Sequence, residues 1–211
     1  MKITPKTTAQ SILLSALQEG AELIFAIGPA GVGKSYVVAA HAAKSNKRIV
    51  ITRPNMPCGK ELGFRPGSMQ EKMAEWLAPI VDVLNEFLGK EEVAARMADG
   101  RILVQPIETV RGRSFKDCIV IVDEAQNLTM HEIDAFVTRT GENSQIILSG
   151  DPMQADVRNS GLVEAVEMCL TDQNLLNHVR VVEFYESDIV RSGLCKAWVI
   201  ARRNKYAKKT V

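Results

Sequence analysis

The sequence carries almost no net charge: 26 Lys and Arg against 25 Asp and Glu leave +1 over 211 residues. No whole-molecule basic field is available to attract nucleic acid, so any such contact has to come from a local patch. Aromatic residues make up 5% of the chain, too few for an extended base-stacking platform. The cysteines (Cys58, Cys118, Cys169, Cys195) and histidines (His41, His131, His178) are scattered. Without a Cys-x-x-Cys pair or a Cys/His cluster, neither structural zinc nor a disulfide framework is expected. A reducing, cytoplasmic setting follows from the same usage. Apolar runs reach about five residues, far short of the ~20 that span a membrane. No long apolar stretch follows the first lysines, so no signal peptide is expected.

What the chain does have is a hydrophobic fraction of 46%, enough for one α/β domain with its own core. Strands are expected at 22–27, 48–52, 101–105, 118–122, 145–149 and 179–184. Helices are expected at 9–17, 34–44, 69–88, 91–98, 130–139, 161–170 and 189–207. Most of the strands are continuous apolar runs, the pattern of a parallel sheet covered on both faces. Residues 53–100 read as a loop and helical insertion. Residues 202–211 hold Arg202, Arg203, Lys205, Lys208 and Lys209 with no acid, either a solvated basic tail or a phosphate-contacting one.

Residues 28–35 read Gly-Pro-Ala-Gly-Val-Gly-Lys-Ser, the G-x-x-x-x-G-K-[ST] pattern of a phosphate-binding loop. It lies between an apolar strand and a helix, the context this motif requires. Glycines let successive backbone N–H groups curl toward a phosphate, and the helix start adds its positive dipole end. Gly28, Pro29, Ala30, Gly31, Val32, Gly33, Lys34, Ser35 and the adjoining Tyr36 form the expected nucleotide-binding set. Within it Lys34 reaches the β and γ phosphates and the Ser35 hydroxyl holds Mg2+.

The apolar run 118–122 leads straight into Asp123 and Glu124. An acid at the end of a strand behind a phosphate loop is placed to hold Mg2+ through its water shell, here Asp123. Its neighbour Glu124 is placed to act as a general base toward water. The next strand ends in Gly150-Asp151-Pro152-Met153-Gln154. This is good turn chemistry. It also sets Gln154 where an amide can sense a γ-phosphate and orient water. A small-molecule kinase needs an acceptor pocket rather than an activated water, so Glu124 and Gln154 argue against one.

These segments resemble the PhoH family of P-loop ATPases. The resemblance runs through residues 28–35, RPNMPCGKELGFRPGSMQEKM at 53–73, RGRSF at 111–115, VDEAQN at 122–127 and SGDPMQ at 149–154. The DEAQ and GDPMQ pair is also similar to the first motor domain of superfamily 1 helicases. The resemblance implies a single RecA-like domain, ATP and Mg2+ as ligands, ATP hydrolysis, and association with RNA or single-stranded DNA. It further implies a homo-oligomeric ring such as a hexamer. A chain of this length fits one such domain, so a second wall for the nucleotide would come from a neighbouring subunit.

By the same resemblance Gln10, in a helix that reads as exposed there, reads the adenine edge. Arg191 in Asp188-Ile189-Val190-Arg191 serves as an arginine finger, with Arg111, Arg113 and Arg139 as competing candidates. The loop after the second strand would touch nucleic acid through Arg53, Lys60 and Arg65, with Phe64 either stacking on a base or buried. An ATP-dependent switch or scaffold without motor activity is the alternative reading.

Overall fold

The computed structural model describes residues 1–54, 69–107 and 114–207. In chain order they form α1 (Thr8–Glu19), β1 (Leu23–Ile27), α2 (Lys34–Lys44), β2 (Arg48–Thr52), α3 (Met69–Leu88) and α4 (Lys90–Ala98). There follow β3 (Ile102–Val104), β4 (Cys118–Val122), α5 (Met130–Val137), β5 (Gln145–Gly150), α6 (Leu162–Thr171), β6 (Val179–Glu183) and α7 (Gly193–Ala207). The strands make one six-stranded sheet in the order β3-β2-β4-β5-β1-β6, and every pairing is parallel.

The continuous apolar runs are explained by the two-unit repeat of a strand. Ile24, Ala26, Ile49, Ile51, Ile119 and Ile121 face one helical layer, built from α1, α2, α3 and α4. Leu23, Phe25, Val50, Val120, Val122 and Ile146 face the other, built from α5 and α6. Strands β1, β4 and β5 are covered on both faces, so alternation between apolar and polar residues does not arise in them, while the edge strand β6 exposes Arg180 and Glu183.

Local signals set the helix ends. The Thr7 hydroxyl accepts from the Gln10 backbone N–H at 3.3 Å, and Gly20 closes α1 in the left-handed region at φ 81°. Thr129 and Glu132 form a reciprocal capping box at the start of α5, the arrangement that satisfies two orphan donors at once.

The sheet order places the site. The chain leaves β1 through α2 and crosses β5 and β4 to reach β2. It leaves β5 through α6, on the opposite layer, and crosses β1 to reach β6. Adjacent strands β1 and β5 therefore diverge in opposite directions, and the crevice beyond their carboxyl ends is where open α/β sheets bind ligands.

One expectation changes. The last helix starts at Gly193 rather than at residue 189. Residues 186–188 form a 3₁₀ turn, in which the Asp188 carboxylate accepts from the Tyr185 N–H at 2.9 Å. Ile189 is buried in the core, and the Val190 N–H donates to the Gly31 carbonyl at 3.1 Å. This segment is fastened to residue 31 instead of coiling. Arg202, Arg203 and Lys205 lie in α7, within the helix expected at 189–207; residues 208–211 lie outside the described residues.

Candidate functional site

Strand β1 ends at Ile27, and the loop begins with Gly28 at φ 146°, its N–H donating to the Gly150 carbonyl at 3.0 Å. A β-carbon there would fall on the Phe184 backbone, so only glycine fits this approach. Gly33, at φ 85°, turns the chain into α2, and the first helical bond runs from Val37 N–H to Gly33 carbonyl. The backbone N–H groups of Lys34, Ser35 and Tyr36 thus have no carbonyl within the helix and are the donors that a phosphate accepts from. Val32 is fully buried and anchors the middle of the loop in the core.

The Lys34 ammonium donates to the carbonyls of Gly28 and Pro29 at 2.7 and 2.9 Å. An ammonium has three donors, so one is left for an anion. Burial pushes the Lys34 pKa down, against the pull of Asp151, Asp123 and Glu124.

Across the crevice the Ser35 hydroxyl donates to Asp123 Oδ1 at 3.0 Å. Neighbouring ligands of an octahedral Mg2+, each about 2.1 Å from the ion, stand about 3.0 Å apart, so these two oxygens fit that cation. Among the described residues no group of three or more His, Cys, Asp or Glu side chains is placed to hold a metal. The donor set is that of a cation completed by phosphate and water, as Mg2+ requires. Burial, and then the charge of Glu124, push the Asp123 carboxyl above the usual range, opposed by Ser35, Arg53 and Lys34. A divalent cation would relieve that strain.

Glu124 follows with a left-handed backbone, φ 55°, uncommon for a residue with a side chain and typical of functional sites. Its Oε2 accepts from the Gln126 amide at 2.6 Å, and its Oε1 stands 3.8 Å from the Arg53 guanidinium. The Gln126 carbonyl oxygen in turn accepts from the Asp151 N–H at 3.1 Å. Asp151, 6% exposed, takes the Met153 N–H on Oδ1 and the Gln154 amide on Oδ2, at 3.1 and 2.7 Å. Arg203 of α7 forms ion pairs with the same Oδ2 at 3.6 Å and, through Nε, with Glu186 Oε1 at 3.2 Å.

The structure thus brings together the loop from Gly28 to Ser35, Asp123, Glu124 and Gln154. Arg191 is exposed, and its aliphatic stem lies against Gly31, which puts it over its own loop. Arg139 lies elsewhere: its carbonyl accepts from the Phe115 N–H just before β4, at the sheet edge opposite the loop. Lys60, Phe64, Arg65, Arg111 and Arg113 lie outside the described residues.

Two expected ligand residues are differently disposed. Gln10 is 4% exposed rather than on an open face; its amide donates to the Val32 carbonyl at 2.8 Å and accepts from the Lys6 N–H at 2.7 Å. The Tyr36 side chain turns to α3, where its hydroxyl donates to Glu86 at 3.2 Å and its ring meets Phe87 edge-on. Only the Tyr36 backbone belongs to the phosphate cradle.

Gln126, Asp151 and Glu186 were not singled out from the sequence, and Arg203 was read only within the basic run 202–211. Gln126 and Asp151 lie inside the conspicuous segments 122–127 and 149–154. Arg203 had no signal beyond its charge. A cavity of about 610 Å³ with Leu17, His41, Lys44 and Gln145 in its wall opens at the amino end of β5, away from these groups.

A twisted parallel sheet with a glycine-rich loop, lysine, serine and strand-end acid at its switch point defines a P-loop nucleotide-binding protein with a RecA-like core. The family described as PhoH-like protein matches residues 2–202, and this chain belongs to it. The chain is 39% identical over 204 residues to Protein PhoH of Escherichia coli K12, covering 92% of this chain and 56% of that one. It is 38% identical over 200 residues to the PhoH-like protein of Bacillus subtilis, covering 91% and 61%. It therefore spans little more than half the length of these curated relatives. The UvsW helicase of bacteriophage T4 is similar in fold, with a TM-score of 0.50 at 15% identity, over 87% of this chain and 61% of that one. No described helix is long and apolar enough to cross a membrane.

Proposed function

We propose that this protein binds ATP with Mg2+ at the loop from Gly28 to Ser35 and hydrolyses it, coupled to RNA or single-stranded DNA, as a homo-oligomer. The observation that carries the reading is the placement of Glu124 beside the Ser35–Asp123 pair, with its carboxylate held by Gln126 and Arg53. Binding alone needs the loop and Asp123. A second acid, turned by an unusual backbone to the same edge, has its use in activating water.

Ser35 and Asp123 would hold Mg2+, which neutralises charge on the phosphates when bound. Lys34 and the N–H groups at the start of α2 hold the β and γ phosphates. Glu124 accepts a proton from water as its oxygen bonds to the γ-phosphorus and the bond from that phosphorus to the bridging oxygen breaks. ADP and inorganic phosphate leave, and the proton passes from Glu124 to solvent. Gln154, in the turn that follows the neighbouring strand β5, donates to the γ-phosphate or the water. Of the two candidate arginine fingers among the described residues, Arg191 rather than Arg139 lies over the loop, at Gly31, where it would add a further positive charge.

Coupling to nucleic acid is supported by Arg53. It stands at the end of β2, where residues 55–68 begin, and reaches Glu124. A strand binding to that segment would compete for the guanidinium and alter the acid's surroundings. Such binding would be electrostatic and salt-sensitive.

Phosphate release measured with and without RNA tests the reading. Lys34→Ala should abolish turnover. Glu124→Gln should still bind ATP and lose about 10²–10⁴ in kcat. Wild-type turnover by Glu124→Gln would remove the assignment. Absence of anisotropy change with a labelled single strand at low salt, with and without ATP, would remove the coupling. Slow turnover indifferent to RNA would favour a switch.

A further inference from the structure

The carboxyl-terminal ends of α1 and α2 help enclose the cavity of about 610 Å³ at the amino end of β5. Small-molecule sites occupy roughly 300–1,000 Å³. The wall holds Lys2, Lys44 and Lys47 and, among the described residues, no Asp or Glu. None of these lysines forms an ion pair with a described residue. The nearby carboxylates Glu19 and Glu22 are engaged by Arg180 and His178, at 3.7 and 2.8 Å. A helix's carboxyl end favours a cation, which accounts for Lys44 in the last turn of α2. It does not account for Lys2, in the segment before α1, or Lys47, in the turn before β2. Like charges gathered round one concavity without a counter-charge repel one another and draw in an anion.

The rest of the wall indicates what kind of anion. Ile3, Leu14 and Leu17 give it an apolar part. Gln145 is buried, and its amide nitrogen donates to the Leu17 and Ala21 carbonyls at 3.0 and 3.2 Å. Its side chain in turn bonds the His41 ring. An imidazole held through one nitrogen keeps the other for a ligand. Burial lowers the His41 pKa, against the Gln145 bond, and Lys47 lowers it further. The ring is therefore neutral at pH 7, and the cationic character of the wall comes from the lysines.

We propose that this cavity is a second ligand site, for a small organic anion: Lys2, Lys44 and Lys47 meet its charged head, and Ile3, Leu14 and Leu17 cover its apolar body. A bare inorganic anion would leave the apolar wall unused. A nucleic-acid strand would leave it unused too, since its backbone follows an extended charged surface. The site is separate from the phosphate loop, at the opposite end of the sheet, and does not depend on the nucleotide chemistry proposed above.

Fluorescence titration with anilinonaphthalenesulfonate, an anion on an apolar body, tests this in the presence of saturating ADP and Mg2+, which keep the probe off the phosphate loop. Wild type should bind it saturably, with Kd on the order of 10–100 μM for a ligand of that size. Lys44→Glu with Lys47→Glu should weaken binding at least about tenfold, because two attractions become repulsions. Lys44→Arg with Lys47→Arg keeps the charge and should stay within about threefold of wild type. Octanoate should displace the probe at lower concentration than inorganic phosphate or a single-stranded RNA does. Absence of saturable binding, or charge reversal without effect, would overturn the proposal. So would displacement by phosphate or RNA as effective as that by octanoate. Wild type alone gives a second reading that needs no charge-reversed protein to fold. In a proton NMR titration with octanoate, the His41 ring signal, assigned by its loss in His41→Gln, should move and its pKa rise. The signals of His131 and His178, outside the wall, should stay in place. A His41 signal that does not move would sink the site.

Discussion

Replacing Gln10 by alanine separates two roles for that residue that a nucleotide-binding assay alone would merge. The Gln10 amide braces the loop: it donates to the carbonyl of fully buried Val32 at 2.8 Å. Its other end accepts from the partly buried Lys6 N–H. Truncation leaves the Val32 carbonyl without that donor, a loss of about 1–3 kcal/mol. The Lys6 N–H can turn to water and adds little. For a domain of this size each 1 kcal/mol shifts the melting temperature by roughly 2–4 °C, so about 2 kcal/mol predicts a fall of roughly 4–8 °C. The nucleotide consequence follows from the same geometry. A loosened loop weakens every ligand held by its phosphates, so ATP and GTP should lose affinity by the same factor. Thermal melting, with fluorescent-nucleotide competition by ATP and GTP in parallel, measures both quantities. An unchanged melting temperature together with a loss confined to ATP would refute the brace and restore adenine reading as the role of Gln10.

Other expectations follow from single contacts. The Asp123 carboxyl is raised by burial, so between the ordinary carboxylate range and its higher folded value the native state holds a proton that the unfolded chain has released. Stability from this group therefore falls as pH rises through that window. Asp123→Asn should remove the dependence, melt no lower than wild type at pH 8 without Mg2+, and lose the stabilisation that Mg2+ and ATP give together; a lower melting temperature would contradict this. Arg53→Ala should leave the melting temperature nearly unchanged, since a half-exposed ion pair is worth about 0–1 kcal/mol, while RNA stimulation of phosphate release shrinks. Gly28→Ala should destabilise by about 2–5 kcal/mol in urea unfolding, from backbone strain and collision with Phe184.

What the sequence made legible, and what it hid, divides along the range of the interactions. The loop from Gly28 to Ser35 declares itself because its backbone shape demands particular residue types at adjacent positions. Asp123 and Glu124 declare themselves because a buried strand must end where it meets solvent, and acids just there have few structural uses. The parallel sheet is legible for a related reason: strands dry on both faces, such as β4, buried throughout, cannot alternate.

Gln10 was misread because apolar periodicity marks a buried face only by its apolar members. Its register with Leu13 and Leu17, three and seven residues on, was the available signal, and all three are buried. The start of α7 was misplaced because residues 189–191 have ordinary helix-compatible types. Their bond to Gly31, made across most of the chain, decides their course. Arg203 shows the limit most sharply. A lysine or arginine near a chain end reads as solvated charge, since most are. What makes this one different is that α7 carries it to the carboxyl end of the sheet, within ion-pair reach of buried Asp151 and of Glu186. That circumstance is a property of side chains from segments about fifty residues apart in the sequence, Asp151 and Arg203, and no local pattern encodes it.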